Sequence, residues 1–442
     1  MNRGYALSTR ATPARWVAFN TLRAVRSGEL LDPAFARLAE QAPPRDRAWT
    51  QELVYGTFRL RGRLDFLLGK FVRRGLDTLE PDVLDILRLG AYQILEMHAV
   101  PAYAAVSQSV EMTKAIGNRG ASGLVNGVLQ SLRRTDEVLK PPTGRNAAQF
   151  LSSWGSHPLW LIERWLARFG RDQTDKLVAL NNQRPDVYLQ PIGVTVDNAI
   201  EQLHAADLLA ERVESADPAV RISAGDVLRA LALIPAIVQD PAAARVVHFA
   251  AFGPGLVADL CAAPGGKAIV AAAGRNSGKP SLVVAADVSQ GRLRKVAENV
   301  ARLSIANIAL VVADARRPAL RGAAQVLIDA PCTGTGTFRR HPDGKWRITP
   351  TDLGQLVELQ RAILDAAAAL VEPGGLLVYA TCSLETEENE QQVESFLGLH
   401  QEFTLEPSHA VDQRFLDRDY LRVLPQQHGF DGAFAARLRR AA

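Results

Sequence analysis

The chain has only three cysteines in 442 residues, and two of them follow apolar runs that stop abruptly. Gln325-Val326-Leu327-Ile328 leads into Asp329-Ala330-Pro331-Cys332, and Leu376-Leu377-Val378-Tyr379-Ala380 leads into Thr381-Cys382-Ser383. A free cysteine is by default a small buried hydrophobe, and that reading suits the third, Cys261. For Cys332 and Cys382 the setting favours chemistry, because open α/β sheets bind ligands beyond the carboxyl ends of their strands. Thiols placed there suit methylation of cytosine at carbon 5. That carbon is too weakly nucleophilic to attack a methyl donor unaided. A thiolate adding at carbon 6 turns the ring into an enamine, and carbon 5 can then attack. A base must afterwards remove the carbon-5 proton so that the thiol can leave. Methylation of an amino group needs none of this, since nitrogen already carries a lone pair.

Acidic residues recur at the same kind of position. Four successive apolar runs end in Asp259, Asp287, Asp314 and Asp329. One such aspartate is most simply a helix N-cap; four in a row point to ligand contacts. The first lies in Asp259-Leu260-Cys261-Ala262-Ala263-Pro264-Gly265-Gly266-Lys267. Its small residues and paired glycines let backbone approach a ligand at a helix N-terminus. A Walker loop would need Gly at position 261 and Ser or Thr at 268, where the chain has Cys261 and Ala268, and the dinucleotide fingerprint is absent. A short glycine turn of this kind fits a nucleoside cofactor without a pyrophosphate, such as S-adenosylmethionine (SAM). Asp287 stands where an acidic residue accepts hydrogen bonds from ribose hydroxyls.

These residues require a scaffold, and the sequence supplies one from residue 255 onward. Apolar runs at 256–261, 281–287, 308–313, 324–328 and 375–381 alternate with helical patterns near 266–274, 289–303, 354–371 and 386–399. Such alternation implies βαβ units and a parallel sheet. Residues 1–140 read as helices throughout, with Trp16, Phe19 and Leu22, then Leu64, Leu67, Leu68 and Phe71, on apolar faces. Lys140-Pro141-Pro142-Thr143-Gly144 marks a boundary. A helical stretch at 150–185 and a mixed region at 186–235, with a helix near 197–210, suggest a small α+β subdomain. Expected domains are thus 1–140, 150–235 and 236–442.

The net charge of +4 is uneven: residues 1–140 carry 20 Lys+Arg against 14 Asp+Glu, and the remainder 31 against 33. A basic helical third, with Arg59, Arg61, Arg63, Arg73 and Arg74, fits either a solvated bundle surface or an RNA-binding one. Arg339, Arg340 and Lys345 follow the Cys332 loop and are expected at the rim of the cleft, facing RNA. No apolar run is long enough to span a membrane, and no His and Cys cluster has metal-ligand spacing. Few and odd cysteines fit a reducing cytoplasm.

With these motifs in view, residues 255–385 resemble the RNA 5-methylcytosine methyltransferases of the Nol1/Nop2/Sun family, in particular its bacterial small-subunit rRNA branch. Asp259–Lys267, Asp287, Asp314, Asp329-Ala330-Pro331-Cys332 and Thr381-Cys382-Ser383 match in order. The likeness extends to residues 1–140, which resemble a NusB-like RNA-binding domain. It extends also to His157–Trp160, Asn182-Gln183-Arg184-Pro185 and Gly429–Phe434. The resemblance implies a Rossmann-like SAM-dependent domain, with Cys382 as nucleophile, Cys332 in product release and Asp329 between cofactor and base. It places Cys261, Ala262, Ala263, Pro264, Gly265, Gly266, Lys267, Asp287, Asp314 and Asp329 around SAM. It also implies small-subunit rRNA as partner and a monomer that needs no metal. The DNA enzymes attack instead with a Pro-Cys thiol and carry Glu-Asn-Val downstream of it; here Glu298-Asn299-Val300 lies upstream of Cys332. Leu189-Gln190-Pro191-Ile192 and Gln239-Asp240-Pro241-Ala242-Ala243 depart from the family pattern in the region of the middle subdomain.

Overall fold

A computed structural model describes residues 11–135, 140–142, 146–213, 219–222, 227–274 and 281–442. The expected boundary at 140–144 lies partly outside them, at Thr143 and Gly144. The chain forms two compact units: residues 1–184 with Phe338–Arg347, and residues 185–337 with 348–442.

The first unit is all helix: α1 (Pro13–Arg26), α2 (Leu31–Ala39), α3 (Arg47–Arg59), α4 (Arg61–Gly69), α5 (Pro81–Glu96), α6 (Ala102–Ala115), α7 (Ser122–Arg134), α8 (Ala147–Ser153) and α9 (Leu159–Asn181). Pro13 and Pro81 open α1 and α5 in the first turn, where a missing N–H costs nothing. Phe19, Leu53, Leu64, Leu68, Ile86, Leu87 and Leu129 form one buried core. Helices α3 and α5 approach closely through Gly56, where a Cβ would fall 2.0 Å from the Tyr92 ring. The loop segment Phe338–Arg347 completes this unit rather than standing apart from it. Trp346 Nε1 donates to Phe58 O at 2.7 Å and Lys345 Nζ to Arg59 O at 2.8 Å. Both acceptors are end carbonyls of α3, which have no partner within the helix.

The second unit holds two sheets. The smaller is antiparallel, in the order β2-β3-β1-β4, formed by β1 (Val187–Pro191), β2 (Ala210–Arg212), β3 (Val220–Ile222) and β4 (Ala236–Val238) with α10 (Val196–Ala205) and α11 (Val227–Leu233). The larger follows α12 (Pro241–Ala250). It contains β5 (Leu256–Asp259), β6 (Leu282–Asp287), β7 (Ile308–Val312), β8 (Ala323–Asp329) and β9 (Val371–Thr381), then β10 (Phe403–Leu405), β11 (Leu416–Asp417), β12 (Tyr420–Val423) and β13 (Ala433–Arg440). Its helices are α13 (Gly266–Ala273), α14 (Gln290–Arg302), α15 (Gly344–Arg347, in the segment assigned to the first unit), α16 (Pro350–Leu370), α17 (Glu390–Leu399) and α18 (Pro425–His428).

The order is β11-β12-β13-β9-β8-β5-β6-β7, with β10 beside β13. Strands β5 to β9 are mutually parallel, and β13 runs antiparallel to β9. Val257, Ala258, Val326, Leu327 and Ile328 are fully buried, as expected for strands covered on both faces. Strands β5 to β9 form the expected parallel sheet of βαβ units; the antiparallel far edge is an addition to it. The chain reverses its winding between β5 and β8, so a crevice opens beyond their carboxyl ends. Asp259 and Asp329 end those two strands. Among the described residues no helix is long and apolar enough to cross a membrane, and no group of three or more His, Cys, Asp or Glu could hold a metal ion.

Candidate active site

The loop after β5 is tied to β6 by Ala262 N–H donating to Ala286 O at 2.8 Å. Gly265 takes the left-handed region at φ 101°, and a Cβ there would meet Val296 Cγ1 of α14 at 2.7 Å. A side chain at Gly265 would therefore force α14 away from the loop, which explains the glycine. Asp287 is buried, accepting from Ala263 N (3.3 Å), Ser289 N (2.8 Å) and Arg292 Nη2 (2.8 Å). Asp314 lies just past the end of β7 and is half-buried. Its carboxylate accepts from the Arg316 amide and guanidinium, which hold its pKa down to about 2.

Asp259 is fully buried. Its Oδ1 accepts a long bond from Cys261 N at 3.3 Å, and among the described residues its Oδ2 has no hydrogen-bond partner. Burial, and then the neighbouring Asp329 carboxylate, raise its pKa to about 8. Burial and the same acids push the Cys261 thiol up. Lys267, the second residue of α13, donates to Asp329 Oδ2 at 2.7 Å. Burial opposes its charge, but Asp329 and then Cys382 and Asp259 outweigh burial and leave its pKa above the usual lysine value. The ammonium is thus held charged at the switch point of the sheet.

Cys332 and Cys382 come together, their sulfurs 3.4 Å apart. Parallel pairing of β8 with β9 sets this up, since Ile328 lies opposite Tyr379 and Asp329 opposite Ala380. Ala330 N–H then donates to Ala380 O at 2.8 Å, and Gly336 N–H to Cys382 O at 3.0 Å. Gly336 packs on Gly432, where a Cβ on either would lie within 2.7 Å of the other's Cα. That contact gives the tail motif Gly429–Phe434 a role in closing the thiol loops. The Cys332 thiol is pushed well up, by its hydrogen bond to Cys382 first, then by burial and by Glu388.

Beneath the thiols lies a buried polar layer. Glu388 accepts from Thr333 N (2.9 Å), from the Thr333 hydroxyl and from Gln360 Nε2 (2.9 Å). Asn389 accepts from the Thr381 hydroxyl at 2.6 Å and donates to Ser383 O at 3.0 Å. Sequence reasoning did not single out Glu388, Asn389 or Gln360. Glu387-Glu388-Asn389-Glu390 leads into α17, and an acidic helix start reads as a solvated, dipole-favoured turn. Its distance of only a few residues from Cys382 was the available signal.

The expected RNA rim needs correction. Lys345 is fully buried and Arg339 is 9% exposed. Arg339 donates to Arg184 O through Nε (3.1 Å) and Nη2 (2.7 Å), and Lys345 caps α3. Both are structural ties within the helical unit, because free backbone carbonyls at helix and turn ends recruit them. Arg340 is half-buried. Of the basic residues noted earlier, Arg59 is buried and Arg63 donates to Trp154 O at 2.9 Å, whereas Arg73 and Arg74 are exposed.

A doubly wound sheet of this order, antiparallel at its far edge, is that of a Rossmann-like methyltransferase. The comparisons are more specific. Residues 254–439 match the family model for 16S rRNA methyltransferase RsmB/F. Residues 12–134 match the NusB family, and residues 157–227 the ferredoxin-like domain of RsmF/B-like methyltransferases. A Synechocystis sp. protein named "Probable ribosomal RNA small subunit methyltransferase B" is 34% identical, covering 97% of this chain and 99% of its own. The ribosomal RNA small subunit methyltransferase B of Erwinia tasmaniensis is 33% identical over the same shares of the two chains. The crystal structure of PH0851 superposes with a TM-score of 0.80 at 25% identity, covering 98% of this chain and all of that one. The chain belongs to the RsmB/F family of 16S rRNA methyltransferases.

Proposed function

We propose that this protein methylates carbon 5 of a cytosine in small-subunit rRNA, through a covalent bond between Cys382 and carbon 6 of the base. The observation that carries the reading is the pair of thiols 3.4 Å apart, beyond the strand ends that also hold Asp329 and the glycine turn. A methyltransferase acting on nitrogen has no use for such a pair.

The residues present fit SAM. The Oδ2 of Asp259 has no hydrogen-bond partner among the described residues and suits a cationic ligand such as the amino group of the methionyl part. The Cys261–Lys267 turn, with Gly265 and Gly266, would hold the nucleoside side, bounded by Asp287, Asp314 and Asp329. When bound, SAM supplies an electrophilic methyl group. Lys267 orients Asp329, and its positive charge favours a thiolate at Cys382. Cys382 adds to carbon 6, and the electron pair of the former double bond passes to carbon 5. After methylation a base takes the carbon-5 proton, the pair re-forms the double bond, and Cys382 leaves. Cys332 lies beside the leaving sulfur and serves this exit. The NusB-like unit presents Arg73 and Arg74 to the rRNA.

The two thiols separate experimentally. Cys382→Ala should abolish methylation and form no adduct with rRNA. Cys332→Ala should accumulate a protein–RNA adduct, seen as a shifted band on a denaturing gel and lost in the double variant. An adduct that disappears in Cys332→Ala and persists in Cys382→Ala would reverse the two roles.

A further inference from the structure

One carboxylate touches the loops of both thiols, and the reading above does not use it. Glu388 is completely buried. It binds Thr333, the residue after Cys332, through both the amide and the hydroxyl. The Thr333 hydroxyl lies 3.1 Å from the hydroxyl of Ser383, the residue after Cys382. Gln360 Nε2 donates to Glu388 Oε1 at 2.9 Å and to Pro331 O at 3.0 Å, on the other side of Cys332. The Glu388 backbone carbonyl accepts from Tyr379 Oη at 2.7 Å. The carboxylate is therefore locked in place, and donors converge on it as an ionised group requires.

The charged and titratable groups around the sulfurs are unevenly placed. Lys267 of α13, paired with Asp329 of β8, acts on Cys382. Glu388 acts on Cys332, as does Cys382 itself. Tyr379 of β9 faces Cys332 and is held neutral, by burial first and then by Cys332 and Glu388. Glu385 is buried at the same turn, its amide donating to Ser383 Oγ at 2.9 Å. The Glu388 carboxylate thus braces Cys332 on both flanks, at Thr333 directly and at Pro331 through Gln360, and the Cys382 loop on one flank, at Ser383. At 3.4 Å the two sulfurs cannot both be thiolates without strong repulsion. When the pair gives up one of its two protons to solvent, the remaining proton must settle on one of them.

Resting on the cytosine-5 reading, we propose that Glu388 is a positioning residue that fixes this proton on Cys332, leaving Cys382 as the attacking thiolate. No bond between heavy atoms changes in this step; Cys332 keeps its S–H, which donates to the Cys382 sulfur. The asymmetry of the pair is then built into the protein before any RNA arrives. Burial raises the Glu388 pKa, while its hydrogen bonds from Ser383, Thr333 and Gln360 oppose that rise. Loss of those donors would therefore weaken the device.

The test measures iodoacetamide alkylation of each cysteine against pH by peptide mass spectrometry, on the full-length protein. In the wild type Cys382 should react at least about tenfold faster than Cys332 near neutral pH. Glu388→Gln keeps the shape and removes the charge. In the Cys382→Ala background it should move the Cys332 midpoint down by about one unit, roughly tenfold more thiolate at a fixed lower pH. Glu388→Asp should keep the wild-type preference. An unmoved Cys332 midpoint in Glu388→Gln, or faster alkylation of Cys332 in the wild type, overturns the proposal. Should Glu388→Gln not fold, the wild-type order together with that of Glu388→Asp decides. The gel assay keeps the two readings apart. A Cys382-dependent RNA adduct with an unmoved midpoint sinks only this inference. The expected alkylation pattern without any adduct sinks only the cytosine reading.

Discussion

Two lysines with little exposed side chain, one in each unit, meet opposite fates. Lys267 lies at the start of α13 with a carboxylate 2.7 Å away, and its pKa is raised. Lys345 lies in the segment Phe338–Arg347, where its acceptors are Arg59 O and Asn182 Oδ1, at 2.8 and 3.3 Å. Burial and then Arg59 and Arg63 push its pKa well below the usual value. Neutral acceptors satisfy its N–H groups without compensating its charge, whereas Asp329 does both for Lys267. A lysine that keeps its charge in a cleft can act on a reaction; one driven toward neutrality works as a long hydrogen-bonding strut. In sequence the two are alike, each a lysine beside a glycine near a proline.

The sharpest break of this contrast is Lys267→Met. It removes the cation that orients Asp329 and favours a Cys382 thiolate, and leaves Asp329 unpaired beside buried Asp259. Methylation should fall by about 10²-fold or more, the scale on which a single positioned electrostatic group acts. The melting temperature should change far less. Single-turnover methylation and thermal unfolding read the two effects. Activity within a few-fold of wild type would remove Lys267 from the mechanism.

A smaller effect is expected at Asp259. Its pKa is raised, to about 8, above the unfolded value near 4. The folded protein therefore holds a proton that the unfolded chain gives up. Its contribution to stability is full below pH about 4, declines as pH rises, and is exhausted above pH about 8. Asp259→Asn should remove that decline, so its melting temperature relative to wild type should climb between pH 5 and 8. The same variant should weaken SAM binding in titration calorimetry, since an amide cannot ionise to pair with a cationic amino group. Parallel pH curves for the two proteins would mean that Asp259 is not protonated in the fold.

The parts of the fold legible in sequence are those where one physical rule dominates. Strands β5, β6, β8 and β9 are covered on both faces, so they read as unbroken apolar runs ending in a polar residue. The antiparallel edge was not legible. Strand β13 reads Ala433-Phe434-Ala435-Ala436-Arg437-Leu438-Arg439-Arg440, and its arginines look like a solvated helix or tail. In the structure Arg437 is buried, donating to Phe249 O and Ala250 O and pairing with Glu406. Partners distant in sequence make that burial possible, and no local pattern encodes them. The thiol contexts identified the candidate site, but not Glu388, whose burial depends on Thr333 and Gln360 lying against it. The segment Phe338–Arg347 misled for the same reason: its positive charges suggested a surface, and its acceptors are helix-end carbonyls elsewhere in the chain.

The smallest effect should come from Lys345→Met, which keeps the volume and removes both the hydrogen bonds and the ionisable group. Arg59 O would still accept from Ser156 Oγ at 3.0 Å, so one of the two acceptors is not orphaned. The loss should be about 1–2 kcal/mol, the scale of a buried hydrogen bond with partial compensation. Its sign depends on pH. A lysine whose folded pKa lies below its unfolded value is fully tolerated above pH about 10.4 and increasingly penalised as pH falls toward the folded pKa. The Met variant escapes that penalty. Wild type should therefore hold its largest advantage in melting temperature at alkaline pH and lose it toward neutrality. Single-turnover methylation should be unchanged throughout. If Lys345→Met instead lost activity as Lys267→Met does, with no shift in melting temperature, the strut would have to be reclassified as a participant in the reaction, and burial without a carboxylate partner would no longer separate the two lysines.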